Sequence, residues 1–181
     1  MKNNSTIDTS NKLYLRFSVI CTMIFVIAFS RFLSPIYNFS PLGALGLFGA
    51  AYFAKKWQAF LIPILAIFLS DLFINKVVLH QYYPNFTWFY EGFYWQYGSY
   101  LLITLIGILI FTKVNTSRII GGALLSTILF FLISNFGTWA SGAMYPKTLE
   151  GLAACYVAGI PFIKGTLMGT LFYSALMFGS F

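Results

Sequence analysis

Charged side chains are scarce in this chain of 181 residues. They make up 8% of it, whereas hydrophobic residues make up 59% and the mean hydropathy is +0.80. A soluble domain carries about 25% charged residues, because its surface must stay hydrated. The composition therefore argues against an ordinary soluble domain and predicts an all-α membrane helix bundle whose outer surface faces lipid.

Residue types that support catalysis or metal binding are equally scarce. The chain has two cysteines and one histidine, and it contains no C-x-x-C, H-E-x-x-H, G-x-S-x-G or Walker A sequence. Cys21 and Cys155 are expected on opposite sides of the membrane, too far apart for a disulfide. His80, alone in a loop, is expected to be solvated. We therefore expect no enzyme, no metal and no cofactor.

Six apolar runs predict six transmembrane helices. The runs are Leu13–Leu33, Pro41–Ala54, Trp57–Ile74, Tyr94–Phe111, Arg118–Ala140 and Phe162–Phe178. A short extra helix, Leu149–Ala158, is expected before the last span, with Gly159 and Pro161 breaking it. A bilayer crossing takes roughly 20 residues, so whether the second run crosses fully stays open. Residues 1–12 are expected to form a loose cytoplasmic tail and residues 13–181 a single transmembrane domain.

The net charge of +7 is distributed at the ends of these runs. This placement indicates contact with lipid headgroups rather than with nucleic acid. When the N-terminus is placed in the cytoplasm, the cytoplasmic side carries seven basic residues and the outer side carries four, as the positive-inside rule favours. The seven are Lys2, Lys12, Arg16, Lys55, Lys56, Lys113 and Arg118. The expected topology therefore has both termini inside.

Polar residues collect at the predicted outer ends of the spans. They are Arg31, Asp71, Asn75, Asn135, Trp139, Lys147 and Lys164. Ionisable groups in a membrane usually face a cavity or a partner, so an outer substrate pocket is one interpretation, with Arg31 and Asp71 as a pair. The alternative is that these charges extend to the outer headgroups.

Aromatic residues dominate the segment Tyr82–Tyr97. Such a segment is typical of an interfacial aromatic belt. It is also suited to a lid that stacks on a flat ligand, bending at Pro84 and Gly92, with Tyr94 and Trp95 as stacking groups. Both interpretations stay open.

Small residues recur at four-residue spacing in two spans. Gly46, Ala50 and Ala54 form one row in the second span, and Gly122 and Ser126 form another in the fifth. Such rows let helices approach closely. They predict either internal packing or docking of a partner membrane protein.

Three stretches resemble an uncharacterised family of small bacterial integral membrane proteins. They are NFSPLGALGLFGAAYF (38–53), LSDLF (69–73) and SNFGTWASGAMYPKTLEGLAACYVAGIPF (134–162). The size, the six spans and the polar outer face are in turn similar to the substrate-binding S components of energy-coupling factor transporters.

The second resemblance implies a function. S components bind vitamins or other micronutrients from outside, and most work with a transmembrane coupling protein and two ATPases. It implies that the loop after the first span, the aromatic loop and residues 144–150 frame the pocket. The alanine-x-x-x-alanine motif of the first helix is absent here, and Ser18 and Thr22 are the nearest small pair.

Uptake of a vitamin, corrinoid or similar nutrient across the bacterial inner membrane is therefore the leading hypothesis. In it, Arg31 and the two lysines hold an anionic group, Asp71 orients Arg31 or a cationic group, and the aromatic residues cover a ring. The alternative hypothesis is a non-transporting assembly or scaffold subunit of a cell-envelope complex. That alternative predicts a stable partner complex and no stabilisation by a ligand.

Overall fold

The computed structural model is a bundle of six α-helices, and it describes residues 3–33, 38–78, 81 and 85–181. The helices are α1 (Asn3–Phe29), α2 (Leu42–Tyr52), α3 (Lys56–Phe73), α4 (Phe93–Ile110), α5 (Thr116–Ser141) and α6 (Leu149–Ser180). A 3₁₀ turn, Ser30–Leu33, follows α1, and a π-helical turn, Ile74–Val78, extends α3. None of the described residues forms a strand. His80 and residues 82–84 of the aromatic segment lie outside the described residues.

The outer surface of the bundle is apolar, as a lipid-facing surface requires. On α5, Ile120, Leu124, Ile128 and Leu132 are spaced four residues apart and are 43–55% exposed. Residues at this spacing share one helix face, so they form a continuous apolar stripe. A stripe of this kind is unfavourable in water and favourable in hydrocarbon. Five of the helices are long and apolar enough to cross a membrane, and the chain is a helical membrane bundle.

Helix α2 is the exception among the predicted spans. Its 11 residues extend about 16 Å, roughly half of the 30 Å hydrocarbon thickness. Eight of the 11 residues are buried, because α1, α3, α4, α5 and α6 all pack around it. A helix this short is tolerated in a membrane only where other helices shield its backbone ends from lipid.

The small-residue rows serve this internal packing. Gly46 lies against Thr104 of α4, and a Cβ on Gly107 of α4 would come within 2.7 Å of Ala50. Gly122 of α5 lies against the side chain of Leu47. The rows therefore let α4 and α5 approach α2 closely, which favours the internal-packing interpretation over partner docking.

Two local expectations are corrected. Helix α1 begins at Asn3, so the polar segment expected to be a loose tail is helical over residues 3–12. Helix α6 runs without a break through Gly159 and Pro161, so no separate short helix precedes the last span. A proline costs one backbone hydrogen bond, whereas breaking the helix inside a membrane would leave several polar groups unpaired.

Cys21 and Cys155 are both free thiols, as expected.

The helices alternate in direction, which gives the bundle two distinct ends. At one end, called here the Lys55 end, α2 finishes and α3 begins, and Tyr52 packs on Phe181 with ring centroids 4.5 Å apart. At the other, called the Arg31 end, α1 and α3 finish and α4 begins. The N-in topology remains a prediction, and it makes the Arg31 end the outer one.

Candidate functional site

A largely buried ion pair joins the 3₁₀ turn after α1 to the end of α3. Nη1 of Arg31 lies 2.5 Å from Oδ1 of Asp71 and donates a second hydrogen bond to Oγ of Ser70 at 3.1 Å. The hydroxyl of Tyr97 donates to Oδ2 of Asp71 at 2.7 Å. Both carboxylate oxygens of Asp71, which is 6% exposed, therefore have partners. The pair predicted from the sequence is confirmed.

A cavity of about 120 Å³, called here the central cavity, lies next to Arg31 at the first turn of α2. It is lined by residues of α2, α4, α5 and α6, by Arg31 of the 3₁₀ turn after α1 and by the segment before α2. The lining residues are Arg31, Asn38, Ser40, Leu42, Gly43, Gln96, Tyr100, Ile103, Ser126, Phe130, Thr166 and Thr170.

Measured from the Lys55 end of the bundle, the central cavity lies at a depth of about half the hydrocarbon thickness of a membrane. Tyr100, Ser126 and Thr170 each stand ten residues from the terminus of their helix at the Lys55 end. Ten residues of α-helix extend about 15 Å, which is half of the hydrocarbon thickness. Helix α2 starts at the same depth because it is only 11 residues long. The cavity therefore occupies part of the space that a full-length second span would fill.

The polar groups of the central cavity are unusual for this depth. Tyr100 is 3% exposed, and its hydroxyl has no hydrogen-bond partner. Ser126 donates its proton to the carbonyl oxygen of Ala123 at 3.0 Å, so its lone pairs remain as acceptors. Gly43 lines the cavity in the first turn of α2, where unpaired backbone N–H groups carry partial positive charge. Donors and acceptors therefore meet at mid-depth.

A second cavity of about 300 Å³ adjoins the central cavity, with which it shares Asn38, Gln96, Phe130 and Thr166. It is called here the second cavity, and it lies between α4, α5 and α6, with Tyr145 of the α5–α6 loop among its lining residues. The two cavities therefore lie side by side between the α5–α6 loop at the Arg31 end and the start of α2.

Asn135 fixes one wall of the second cavity. Its Nδ2 donates to the carbonyl oxygen of Phe131 at 2.8 Å, and its side chain packs against Gly159 of α6. Cys155 donates a weak hydrogen bond from Sγ to the carbonyl oxygen of Asn135 at 3.3 Å. A side chain at position 159 would clash with Asn135, so the glycine predicted to break α6 instead allows α5 and α6 to pack closely.

Gln96 lies where the cavities meet. It lines both the central cavity and the second cavity. It also lines a third cavity, of about 240 Å³, which lies between the start of α4 and the end of α5. Its Oε1 accepts a hydrogen bond of 2.8 Å from the hydroxyl of Tyr90, which belongs to the aromatic segment. The segment therefore contacts a residue that lines the cavities, whereas Phe86 and Trp88 on it are 58–60% exposed. A lid and an interfacial belt are both compatible with this arrangement.

The structure places the eight sequence-predicted residues in two groups. Arg31, Asn135 and Trp95 line the cavities, and Asp71 holds Arg31. The remaining four, Trp139, Lys147, Lys164 and Tyr94, are not among the lining residues of these three cavities.

Lys147 and Trp139 have contacts that explain their position. Nζ of Lys147 donates to the carbonyl oxygens of Trp139 and Gly142, where α5 ends, and lies 5.7 Å from the centroid of the Trp139 ring. Nε1 of Trp139 donates to the carbonyl oxygen of Pro146 at 2.9 Å. Both residues therefore stabilise the C-terminal end of α5 through these hydrogen bonds. Tyr94 is 53% exposed and bonds to Ser141 at 2.8 Å, and Lys164 is exposed on α6.

Sequence reasoning missed the neutral polar residues inside the spans. Gln96 and Tyr100 are four residues apart on α4, and Thr166 and Thr170 are four apart on α6. Each pair shares a helix face, so this spacing of polar residues within apolar runs was the available signal. Among the described residues, no group of three histidine, cysteine, aspartate or glutamate side chains could hold a metal ion.

Comparison with known proteins gives one match. None of the curated proteins and none of the solved structures matches the chain. The expected likeness to S components is therefore not tested by them. A family model does match residues 11–181, which is nearly the whole chain and includes every cavity-lining residue named above. The chain thus belongs to the family of unknown function DUF6580.

Proposed function

We propose that this protein is a membrane transport protein, similar to an S component, that binds a small micronutrient in the central and second cavities for uptake across the bacterial inner membrane. The observation that carries the proposal is the position of the central cavity at the start of the half-length helix α2. Transporters commonly bind substrate near the bilayer midplane, beside short or broken helices whose N-terminal ends face the ligand.

The buried polar groups support a binding role over a purely structural one. Polar side chains at membrane mid-depth are costly and are retained where they line a substrate path. Here Tyr100 and Ser126 lie at that depth next to an open volume, and Tyr100 has no internal partner. A scaffold protein gains nothing from this arrangement, because an apolar core of the same shape would be more stable.

A partner in trans would have a surface to contact. Ser18 and Thr22 on α1, together with Leu176 and Ser180 on α6, line an apolar groove of about 450 Å³ on the outside of the bundle. Within the proposal, this groove is where a transmembrane coupling protein would pack, and energy would come from ATPases bound to that partner. The groove equally serves the scaffold alternative, so it does not discriminate between the two functions.

Ligand-dependent stability tests the proposal. The detergent-purified protein is screened by thermal shift against vitamins, corrinoids and nucleobases, and each stabilising compound is then tested in cellular uptake with radiolabel. A true ligand at a hundredfold excess over its Kd stabilises the folded protein by about 2.7 kcal/mol. Stabilisation together with uptake that depends on this chain supports transport. No stabilising compound, together with a stoichiometric membrane partner that copurifies, would favour the scaffold alternative.

A further inference from the structure

We infer that the ligand is an uncharged, flat molecule with adjacent N–H and C=O groups, such as an amide, a lactam or a cyclic urea, bound between Tyr100, Gln96 and the first turn of α2. This inference rests on the proposed function and concerns the chemical class of the substrate. It departs from the anionic substrate that the sequence suggested, because the two lysines expected to hold an anion lie outside the cavities.

The charge of the site argues for a neutral ligand. Within the part of the chain that the structure describes, Arg31 is the single charged residue lining the central and second cavities. Its guanidinium is already paired with Asp71 at 2.5 Å, so the pair has no net charge. A carboxylate or phosphate entering this space would lose its hydration and find no unpaired cation in return.

The hydrogen-bonding groups argue for a ligand that both donates and accepts. The Tyr100 hydroxyl has no hydrogen-bond partner. Ser126 donates its own proton to the carbonyl oxygen of Ala123, which leaves its oxygen lone pairs as acceptors. Gln96 accepts through Oε1 from Tyr90, which leaves its amide N–H groups as donors. The start of α2 adds backbone donors with about half a positive charge, which suits the partial charge of a carbonyl oxygen.

The shape of the space argues for a flat ligand. The rings of Tyr100 and Phe130 pack against each other in parallel, with an interplanar angle of 6° and centroids 5.7 Å apart, and they give the central cavity an aromatic wall on which a flat ring can pack. The central cavity of about 120 Å³ is slightly smaller than the cavity of 150 Å³ that accommodates benzene. It therefore takes one small ring or one end of a larger ligand, and the second cavity, lined by Phe130, Phe131 and Phe162, takes the remainder.

Matched pairs of uncharged and carboxylate compounds test the inference. The purified full-length protein is titrated at pH 7.5 with uracil and orotate, nicotinamide and nicotinate, and biotinamide and biotin, with Kd measured by calorimetry. We expect at least one uncharged member to bind ten times or more tighter than its carboxylate partner. Equal or tighter binding of the carboxylate in every pair that binds would overturn the inference and leave transport standing.

Absence of binding separates the two proposals. If none of the six compounds binds but the wider screen finds a charged substrate that is taken up, the ligand class is wrong and the transport function is correct. If neither experiment finds any ligand, both proposals are wrong.

A single hydroxyl provides the matched variant. Tyr100→Phe removes a group that has no partner in the protein, so folding should be retained while affinity for the uncharged ligand falls about three- to tenfold. Tyr156→Phe is the control, because its hydroxyl donates to the carbonyl oxygen of Leu132 at 2.8 Å and does not line the cavities. Wild-type affinity in Tyr100→Phe would overturn the assignment of this residue.

Discussion

The hydroxyl of Tyr97 donates a hydrogen bond of 2.7 Å to Asp71, on the carboxylate oxygen opposite the one that contacts Arg31. This bond links α4 to the junction between α1 and α3. Since α4 also presents Gln96 and Tyr100 to the cavities, the ion pair and the proposed binding surface are linked through the same helix. Changes to the pair should therefore affect both stability and ligand affinity.

The first prediction concerns the loss of Asp71. Asp71→Ala leaves the buried guanidinium of Arg31 without its counter-charge, so we expect the free energy of unfolding to fall by about 3 kcal/mol. Denaturant unfolding in detergent micelles measures this. The double variant Arg31→Met, Asp71→Leu should recover most of the loss because no charge remains buried. Wild-type stability in Asp71→Ala would show that the pair does not contribute in the membrane protein.

The second prediction compares two glycines of α4. A Cβ on Gly107 would lie 2.7 Å from Cβ of Ala50, whereas a Cβ on Gly98 meets nothing within 4 Å. Gly107→Ala should therefore destabilise the protein by about 1–3 kcal/mol, since α2 and α4 must separate. Gly98→Ala should be neutral or stabilising by up to about 1 kcal/mol, because alanine favours a helix. Thermal unfolding of both variants measures the difference, and equal effects would contradict the close α2–α4 contact.

The third prediction separates a structural lysine from a binding lysine. Lys147 bonds to the last carbonyl groups of α5, so Lys147→Ala should lower stability by about 0.5–1 kcal/mol and leave ligand affinity unchanged. Lys164→Ala, at an exposed position of α6, should change neither property. A tenfold loss of affinity in Lys147→Ala would restore the anion-binding role that the sequence suggested.

The fourth prediction concerns depth and orientation. In a variant with Cys21 and Cys155 replaced by alanine, a cysteine at position 126 should react with a small hydrophilic thiol reagent added outside intact cells, and ligand should protect it. In the same background, the Lys55→Cys variant should react with this reagent only after the membrane is permeabilised. These results would establish that the central cavity opens outward. Labelling of the Lys55 position from outside would reverse the N-in topology and place the cavity mouth in the cytoplasm.

The sequence predicted some contacts correctly because their causes are local or strongly selective. Arg31 and Asp71 are opposite charges at the ends of apolar runs, and a low-dielectric environment leaves them few alternatives to pairing. The glycine and alanine rows predicted close helix contacts for the same reason, since a row of small side chains is visible in the sequence itself. The sequence could not show that Gly46 and Ala50 face α4 rather than a partner protein.

The path of α6 shows where local rules fail. Gly159 and Pro161 are helix breakers in water, yet α6 continues through both. Hydrocarbon offers no hydrogen bonds to a broken helix, and Asn135 of α5 fills the space beside Gly159. The neighbouring helix and the solvent therefore decided the conformation, and neither is contained in a local sequence window.

The sequence by itself determined that this chain is a membrane bundle of apolar helices and that most of its few charges lie near the ends of the apolar runs, because hydrocarbon disfavours charge between them. Only the tertiary structure decided that α2 stops at mid-depth and that Gln96, Tyr100, Ser126 and Thr170, from three different helices, meet at its start. Their meeting depends on the rotation and depth of each helix in the bundle. Those quantities are set by packing against neighbours, which no single span encodes.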